Sequence, residues 1–265
     1  MAKDKKKELT PTETGASVAE RSVGNSSETA KNTSSQTKKI PFAVSEAYKS
    51  IRTNMVSMMQ KENKKVFAIS SPNAAEGKST TSINIALSFS QLKKKVLLID
   101  GDAHRPSIHL KMKLKNEVGF LGILTGETTK EEAIYHYNDF LDVVPSGPLV
   151  SNPTEVLSSD AFGQFLDQMR MVYDCIIIDA PPVNILSDAQ IMGQKCDGML
   201  LVVRAGITTH DSLRRSLAVA NSLYVNVLGL ILNGSDYGTK RYYSRYYSKY
   251  YNRYYDRYYN RYYQN

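Results

Sequence analysis

Gly77-Lys78-Ser79-Thr80 stands between a short apolar run, Lys65–Ser70, and a stretch with helical spacing over 78–92. That context suits a loop that cradles phosphates, because the free N–H groups at a helix N-terminus and the helix macrodipole both favour an anion. Gly77 lets the backbone approach a phosphate closely. Lys78 has the reach to bridge β- and γ-phosphates, Ser79 a hydroxyl for Mg²⁺, and Thr80 a place at the α-phosphate. Ala75 and Glu76 complete the expected lining. The full pattern Gly-x-x-x-x-Gly-Lys-Ser/Thr needs a glycine where this chain has Pro72. The loop is therefore degenerate, and a Lys and Ser at an ordinary helix start would look similar. The strand before it and the helix after it favour the phosphate reading.

Two more apolar runs end on carboxylates. Lys95–Asp100 continues into Gly101, Asp102, Ala103, His104 and Arg105, and Cys175–Asp179 continues into Ala180-Pro181-Pro182. Ligands of a parallel sheet sit beyond the carboxyl ends of its strands, so Asp100, Asp102 and Asp179 are expected beside the phosphates. A carboxylate there holds Mg²⁺ directly or through water. Three exceed what one ion needs, which leaves one to orient or deprotonate an attacking hydroxyl. The plainer alternative for each is a helix N-cap or a turn former.

The elements that must position these residues follow from the apolar pattern. Besides the three runs above, Phe140–Val144, Met199–Val203 and Val227–Leu232 read as strands. Helical stretches are expected over 78–92, 155–172, 186–194 and 209–224, and a further one after Pro41, with Ala47, Ile51, Met55, Met58 and Met59 on one face. Near-continuous apolar strands alternating with helices predict an α/β fold, a mostly parallel sheet with helices on both faces. The expected division is a disordered Ser/Thr/Lys-rich lead over 1–40, one P-loop domain over 41–236, and a flexible tyrosine-rich tail over 237–265.

Bulk properties exclude several function classes. The chain has 265 residues and a net charge of +8. That excess is +3 in residues 1–40 and +5 in 241–265, while 41–240 sums to zero. A basic surface for reading DNA is thus not expected, and no nucleic-acid partner is predicted. His104, His109, His136 and His210 have no metal-ligand spacing. Cys175 and Cys196 read as small buried thiols of a reducing compartment. Neither a signal peptide nor an apolar run of membrane-spanning length is apparent, so a cytoplasmic location is expected.

The chain ends RYYSRYYSKYYNRYYDRYYNRYYQN, with twelve tyrosines in six pairs, each pair preceded by Arg or Lys. Polar and basic residues between the pairs prevent them from forming a core. By itself this pattern admits an aromatic stripe on a helix, a surface for single strands or sugar polymers, or a set of phosphoacceptors.

The runs SSPNAAEGKST, VLLIDGDAHRPS and YDCIIIDAPPV, in this order and with a tyrosine cluster behind them, resemble the Walker A, A′ and B motifs of bacterial tyrosine kinases. These are the P-loop protein kinases of capsule and exopolysaccharide assembly. The resemblance covers 41–265. The same core also resembles MinD/ParA-type ATPases, but their signature lysine is missing, since 71–73 read Ser-Pro-Asn. The resemblance implies ATP- and Mg²⁺-dependent autophosphorylation on tyrosine. Lys78 would neutralise phosphate charge, Ser79 ligate the metal, Asp102 and Asp179 hold it or its waters, and Asp100 polarise the tyrosine hydroxyl. Asn233, where related ATPases often place an adenine contact, would meet the base or form a turn at the strand end; independently of the resemblance, Arg204 after its apolar run is expected to face the phosphates or cap its strand. The acceptors would be Tyr242, Tyr243, Tyr246, Tyr247, Tyr250, Tyr251, Tyr254, Tyr255, Tyr258, Tyr259, Tyr262 and Tyr263. Each phosphate adds about −1.5 to −2, so roughly three or four would reverse the sign of the tail.

The family's Glu-x-x-Arg-x-x-Arg element joins subunits into a ring. Its counterpart here is Glu46, Lys49 and Arg52, with Lys for the first Arg, inside an arc of about 120° on a helix. The implied partners are other copies of the chain, a membrane activator of the polysaccharide co-polymerase type, protein substrates and a cognate phosphatase. The activator would recruit the protein to the inner face of the membrane. The contrasting readings are an ATPase switch without phosphotransfer and a non-catalytic nucleotide-sensing adaptor.

Overall fold

Side-chain alternation along the strands decides what faces what. In a computed structural model of the chain, which describes residues 42–235, β1 (Val66–Ser70), β2 (Val96–Asp100) and β5 (Cys175–Asp179) are buried along their whole length. Their alternate residues enter two separate cores. Phe67, Ile69, Val96, Leu98, Cys175 and Ile177 share one, with Met55 of α1 (Phe42–Glu62) and Ile85 and Phe89 of α2 (Lys78–Ser90). Val66, Ala68, Leu97, Ile99, Ile176 and Ile178 belong to the other. That second core is closed by α4 (Phe120–Thr125), α6 (Pro153–Ser158), α7 (Asp160–Val172), α8 (Asp188–Lys195) and α9 (His210–Ser222). A period of two therefore puts both strand-ending carboxylates, Asp100 and Asp179, on the side that carries α2.

The remaining elements are α3 (Ile108–Met112), α5 (Lys130–Ala133), β3 (Tyr135–Asn138), β4 (Leu141–Val144), β6 (Gly198–Arg204) and β7 (Val227–Asn233). The seven strands run in the order β3-β4-β2-β5-β1-β6-β7. All neighbours are parallel except β3, which pairs antiparallel with β4. The expected mostly parallel sheet with helices on both faces is what forms. All six anticipated strands are present. The seventh, β3, has the sequence YHYN and lies largely exposed at an edge, where no apolar run exists to announce it. The helix expected over 155–172 is two, because Ser159 is extended at φ −63° and ψ 162°.

One irregularity interrupts β7. Met199 pairs with Val227, but Leu200 pairs with Gly229, so Leu228 is an extra residue in β7. Such a bulge shifts every later side chain to the opposite face. Val227 packs with the second core, while Ile231 packs with the first, beside α2. The lead over 1–40 and the twelve tail tyrosines lie outside the described residues. Cys175 is buried, Cys196 is partly buried, and both are free thiols. Among the described residues no helix is long and apolar enough to cross a membrane.

Candidate active site

The turn from β1 into α2 is built around left-handed backbone. Gly77 caps α2 at φ +100°, and Ala75 has φ +62°. The conformation at Gly77 requires glycine, and a Cβ there would also lie 2.1 Å from Asn233 Nδ2 and displace that amide. Asn233 Nδ2 donates to the Glu76 carbonyl at 2.9 Å. Arg204 Nη1 donates to the Ala75 carbonyl at 2.9 Å. The Glu76 side chain is fully buried and turned into the loop: Oε2 accepts from Asn73 N–H at 2.9 Å, and Oε1 accepts from Thr208 Oγ1 at 2.7 Å. The loop is thus braced from β6, the turn after it and β7.

Lys78 begins α2 and points into the carboxylates. Its Nζ lies 2.8 Å from Asp102 Oδ2 and 3.7 Å from Asp179 Oδ2. Burial works against the ammonium, but Asp179, Asp102 and Asp100 outweigh it and hold the Lys78 pKa above its ordinary value. Asp179 Oδ1 accepts from Ser82 Oγ at 3.2 Å, whereas Oδ2 is buried with no hydrogen-bond partner. Burial raises the Asp179 pKa, against the opposing pull of Lys78. Asp102 Oδ1 accepts from Arg105 N–H at 3.0 Å.

Asp100 differs. Its Oδ2 accepts from Ser107 N–H and Ile108 N–H, each at 2.9 Å, and its Oδ1 accepts from Asp102 N–H at 3.2 Å. It ties the turn that carries Asp102 to the start of α3, so the expected free acceptor for a hydroxyl is, in this geometry, also a backbone clasp. Burial, with Asp179 close by, pushes the Asp100 pKa up to about 7, against the pull of those amides and of Lys78.

Three carboxylates facing one ammonium leave an excess of negative charge, and one buried carboxylate oxygen lacks a partner. Both features fit a hard divalent cation at Asp179, Asp102 and Ser79. No group of three or more His, Cys, Asp or Glu side chains forms a metal cage among the described residues. A cation here would draw most of its ligands from water and substrate oxygens, as Mg²⁺ does.

The structure brings Gly77, Lys78, Ser79, Asp100, Asp102 and Asp179 together, with Asn233 against the loop. Glu46, Lys49 and Arg52 follow one another at three-residue spacing along α1. Lys49 pairs with Glu46 at 2.7 Å, but Arg52 Nη1 donates to the Ser88 carbonyl at 2.5 Å and so holds α1 on α2. Sequence reasoning missed Ser82, Thr208 and Asn73, ordinary polar residues with no spacing signal. It also missed Asp188, buried at the start of α8, which accepts from Thr154 Oγ1 at 2.7 Å and lies 3.2 Å from His104 Nε2.

Residues 64–213 match the AAA domain family. Tyrosine-protein kinase YwqD of Bacillus subtilis is 37% identical over 201 residues, which cover 73% of this chain and 85% of that protein. The chain belongs to the bacterial tyrosine-protein kinases. Tyrosine-protein kinase CpsD of Streptococcus pneumoniae serotype 4 is 34% identical over 77% of this chain and 91% of its own. The kinase domain of Escherichia coli tyrosine kinase ETK superposes with a TM-score of 0.71 at 30% identity, covering 75% of this chain and 78% of that one. Family membership favours a kinase over an ATPase switch, and it gives the braced loop and the carboxylates a phosphotransfer setting.

Proposed function

We propose that this tyrosine kinase transfers the γ-phosphate of ATP to tyrosines of its own segment 241–265 and thereby regulates exopolysaccharide or capsule biosynthesis. The observation that carries the reading is Lys78 between Asp102 and Asp179 at the end of a loop held open by Gly77. Phosphoryl transfer is mostly positioning and charge neutralisation, and these residues supply both. Lys78 leaves the carboxylates for the phosphates. Ser79, Asp179 and Asp102 would hold Mg²⁺, which would supply charge neutralisation at the phosphates. Asp100, with a carboxyl that titrates near neutrality, takes up the phenol proton by exchanging one of its backbone amides for the hydroxyl. A hydrogen bond that forms only in the reactive complex is common in such sites. Asn233 contributes on the base side, and the backbone of Ala75 to Thr80 lines the phosphates.

The proposed setting is the inner face of the cell membrane. The chain is held there by a membrane activator and assembled with further copies through Glu46, Lys49 and Arg52, while a phosphatase reverses the modification. The test is incubation with Mg-ATP, with and without K78M, followed by mapping of phosphotyrosine by mass spectrometry. Tail phosphate that depends on Lys78 supports the reading. ADP release with an unmodified tail overturns it.

A further inference from the structure

Along the carboxyl edge of the sheet, the working parts stand in spatial order. Asn233 ends β7, Arg204 ends β6, the phosphate loop follows β1, Asp179 ends β5, and Asp100 ends β2. One strand farther out, beyond β4, lies an open groove of about 570 Å³. Glu117, Glu127, Pro148, Leu149, Val150 and Asn152 line it.

Its walls are fixed by the backbone. Asn116 Nδ2 donates to the Gly147 carbonyl at 3.0 Å, and Gly147 N–H donates back to Asn116 Oδ1 at 2.9 Å. Phe120 N–H and Leu121 N–H donate to the carbonyls of Pro145 and Ser146 at 2.7 and 3.1 Å. The two chains approach so closely that a Cβ on Gly119 would sit 2.3 Å from Gly147 N. Leu149 nevertheless leaves 64% of its surface exposed. Glu127 has no ion pair among the described residues. Glu117 has only a loose one, with Lys115 at 3.6 Å and both side chains 73% exposed.

We propose that this groove docks the chain's own Arg/Lys-Tyr-Tyr segment, 241–265, on the acceptor side of the phosphate loop; the proposal rests on the kinase reading above. A preformed trough of mixed lining, with an apolar stretch at Pro148, Leu149 and Val150 and two carboxylates, suits a peptide that alternates cations with aromatic rings. The segment carries +5 and repeats a basic residue every fourth position, so one cation can meet a glutamate while the adjoining rings lie on Pro148, Leu149 and Val150.

Reach agrees. From β7 to β4 is five strand spacings, about 24 Å at ~4.8 Å each. At about 3.3 Å per extended residue that distance takes roughly seven or eight residues beyond Asn233, which is where the repeat begins at Arg241. A copy's segment from a neighbouring chain would fit equally. β4 borders β2, so the groove follows the strand next to the one that leads into Asp100 and Asp102.

The test measures fluorescence anisotropy of a labelled peptide with the sequence of 241–265. The receptor is the full-length chain with its own six Arg/Lys in that span changed to Gln, so that they do not compete. E117K/E127K is expected to weaken binding about tenfold at low salt, with the difference shrinking as salt rises. A peptide with those six residues changed to Glu is expected to prefer the E117K/E127K receptor. Both receptors must melt at the same temperature; if they do not, E117Q/E127Q replaces the reversal, with a smaller loss in the same direction expected. Equal peptide binding to folded receptors, or no preference of the Glu peptide, overturns the groove. Normal peptide binding with no phosphotyrosine on the wild-type chain instead strikes the kinase reading and leaves the groove standing.

Discussion

Asp197, at the amino end of the sheet, and Asp179, at the carboxyl end, are the same residue in opposite circumstances. Asp197 receives a two-pronged contact from Arg170, both bonds at 2.7 Å, and its Oδ2 also accepts from Lys65 N–H and Val66 N–H at 2.7 and 2.8 Å. Burial resists its charge, but Arg170 and the two amides outweigh that resistance and lower its pKa. Asp179 has two serines, one distant ammonium and a buried oxygen with no hydrogen bond, and its pKa is raised. A charge that only holds strands together is fully answered by its own chain. A charge kept for a ligand is left under-answered, and the fold carries the cost.

The largest effect that would break this contrast is at Lys78. K78M is expected to lower phosphotransfer by about 10³-fold, since it removes a principal charge from the transferring phosphate; a single-turnover assay with labelled ATP measures it. Next, D179N is expected to lower the rate about 10²-fold while leaving the melting temperature unchanged or higher, because a buried, poorly compensated charge is removed. D197A is expected to do the reverse. It should cost about 2 kcal/mol of stability through lost charge-assisted hydrogen bonds and leave the rate per folded molecule intact. Urea titration beside specific activity separates the two, and a destabilised D179N would sink the contrast.

The pH response sharpens it further. Asp100 binds its proton more tightly folded, up to about 7, than its ordinary 3.8. The folded state therefore holds the extra proton between those values, and stability falls as pH rises from about 4 to about 7. Calorimetry of wild type against D100N should show that slope flattened in the variant, while phosphotransfer by the wild type climbs through about pH 7 as the carboxyl ionises. The smallest effect belongs to N233A, expected to weaken nucleotide affinity severalfold by loosening Glu76, about 1 kcal/mol for one lost hydrogen bond; calorimetric titration with ATP measures it.

Much of this was legible from residues alone, for a definite reason. Buried parallel strands are near-continuous apolar runs, so β1, β2, β5 and β6 declare themselves, and the loop and carboxylates follow from where those runs stop. The polar edge strand β3 has no such run. The break at Ser159 depends on a backbone angle rather than on composition. At the site, Asp100 reads as one more acidic strand end, and only the fold shows its oxygens already holding the first amides of α3. Arg52 looks like a surface cation until α2 supplies the Ser88 carbonyl. In each case the partner lies far along the chain, where spacing carries no information.

The bulge at Leu228 absorbs an extra residue, so Asn233 stays opposite Arg204 and faces the phosphate loop. A second extra residue beside Leu228, with no further bulge to absorb it, would rotate the whole remainder of β7 by half a turn, aim the amide at the wrong side and leave Glu76 without its clasp. A seemingly harmless edge-strand indel, five positions away and touching no substrate, would thus act as an active-site lesion.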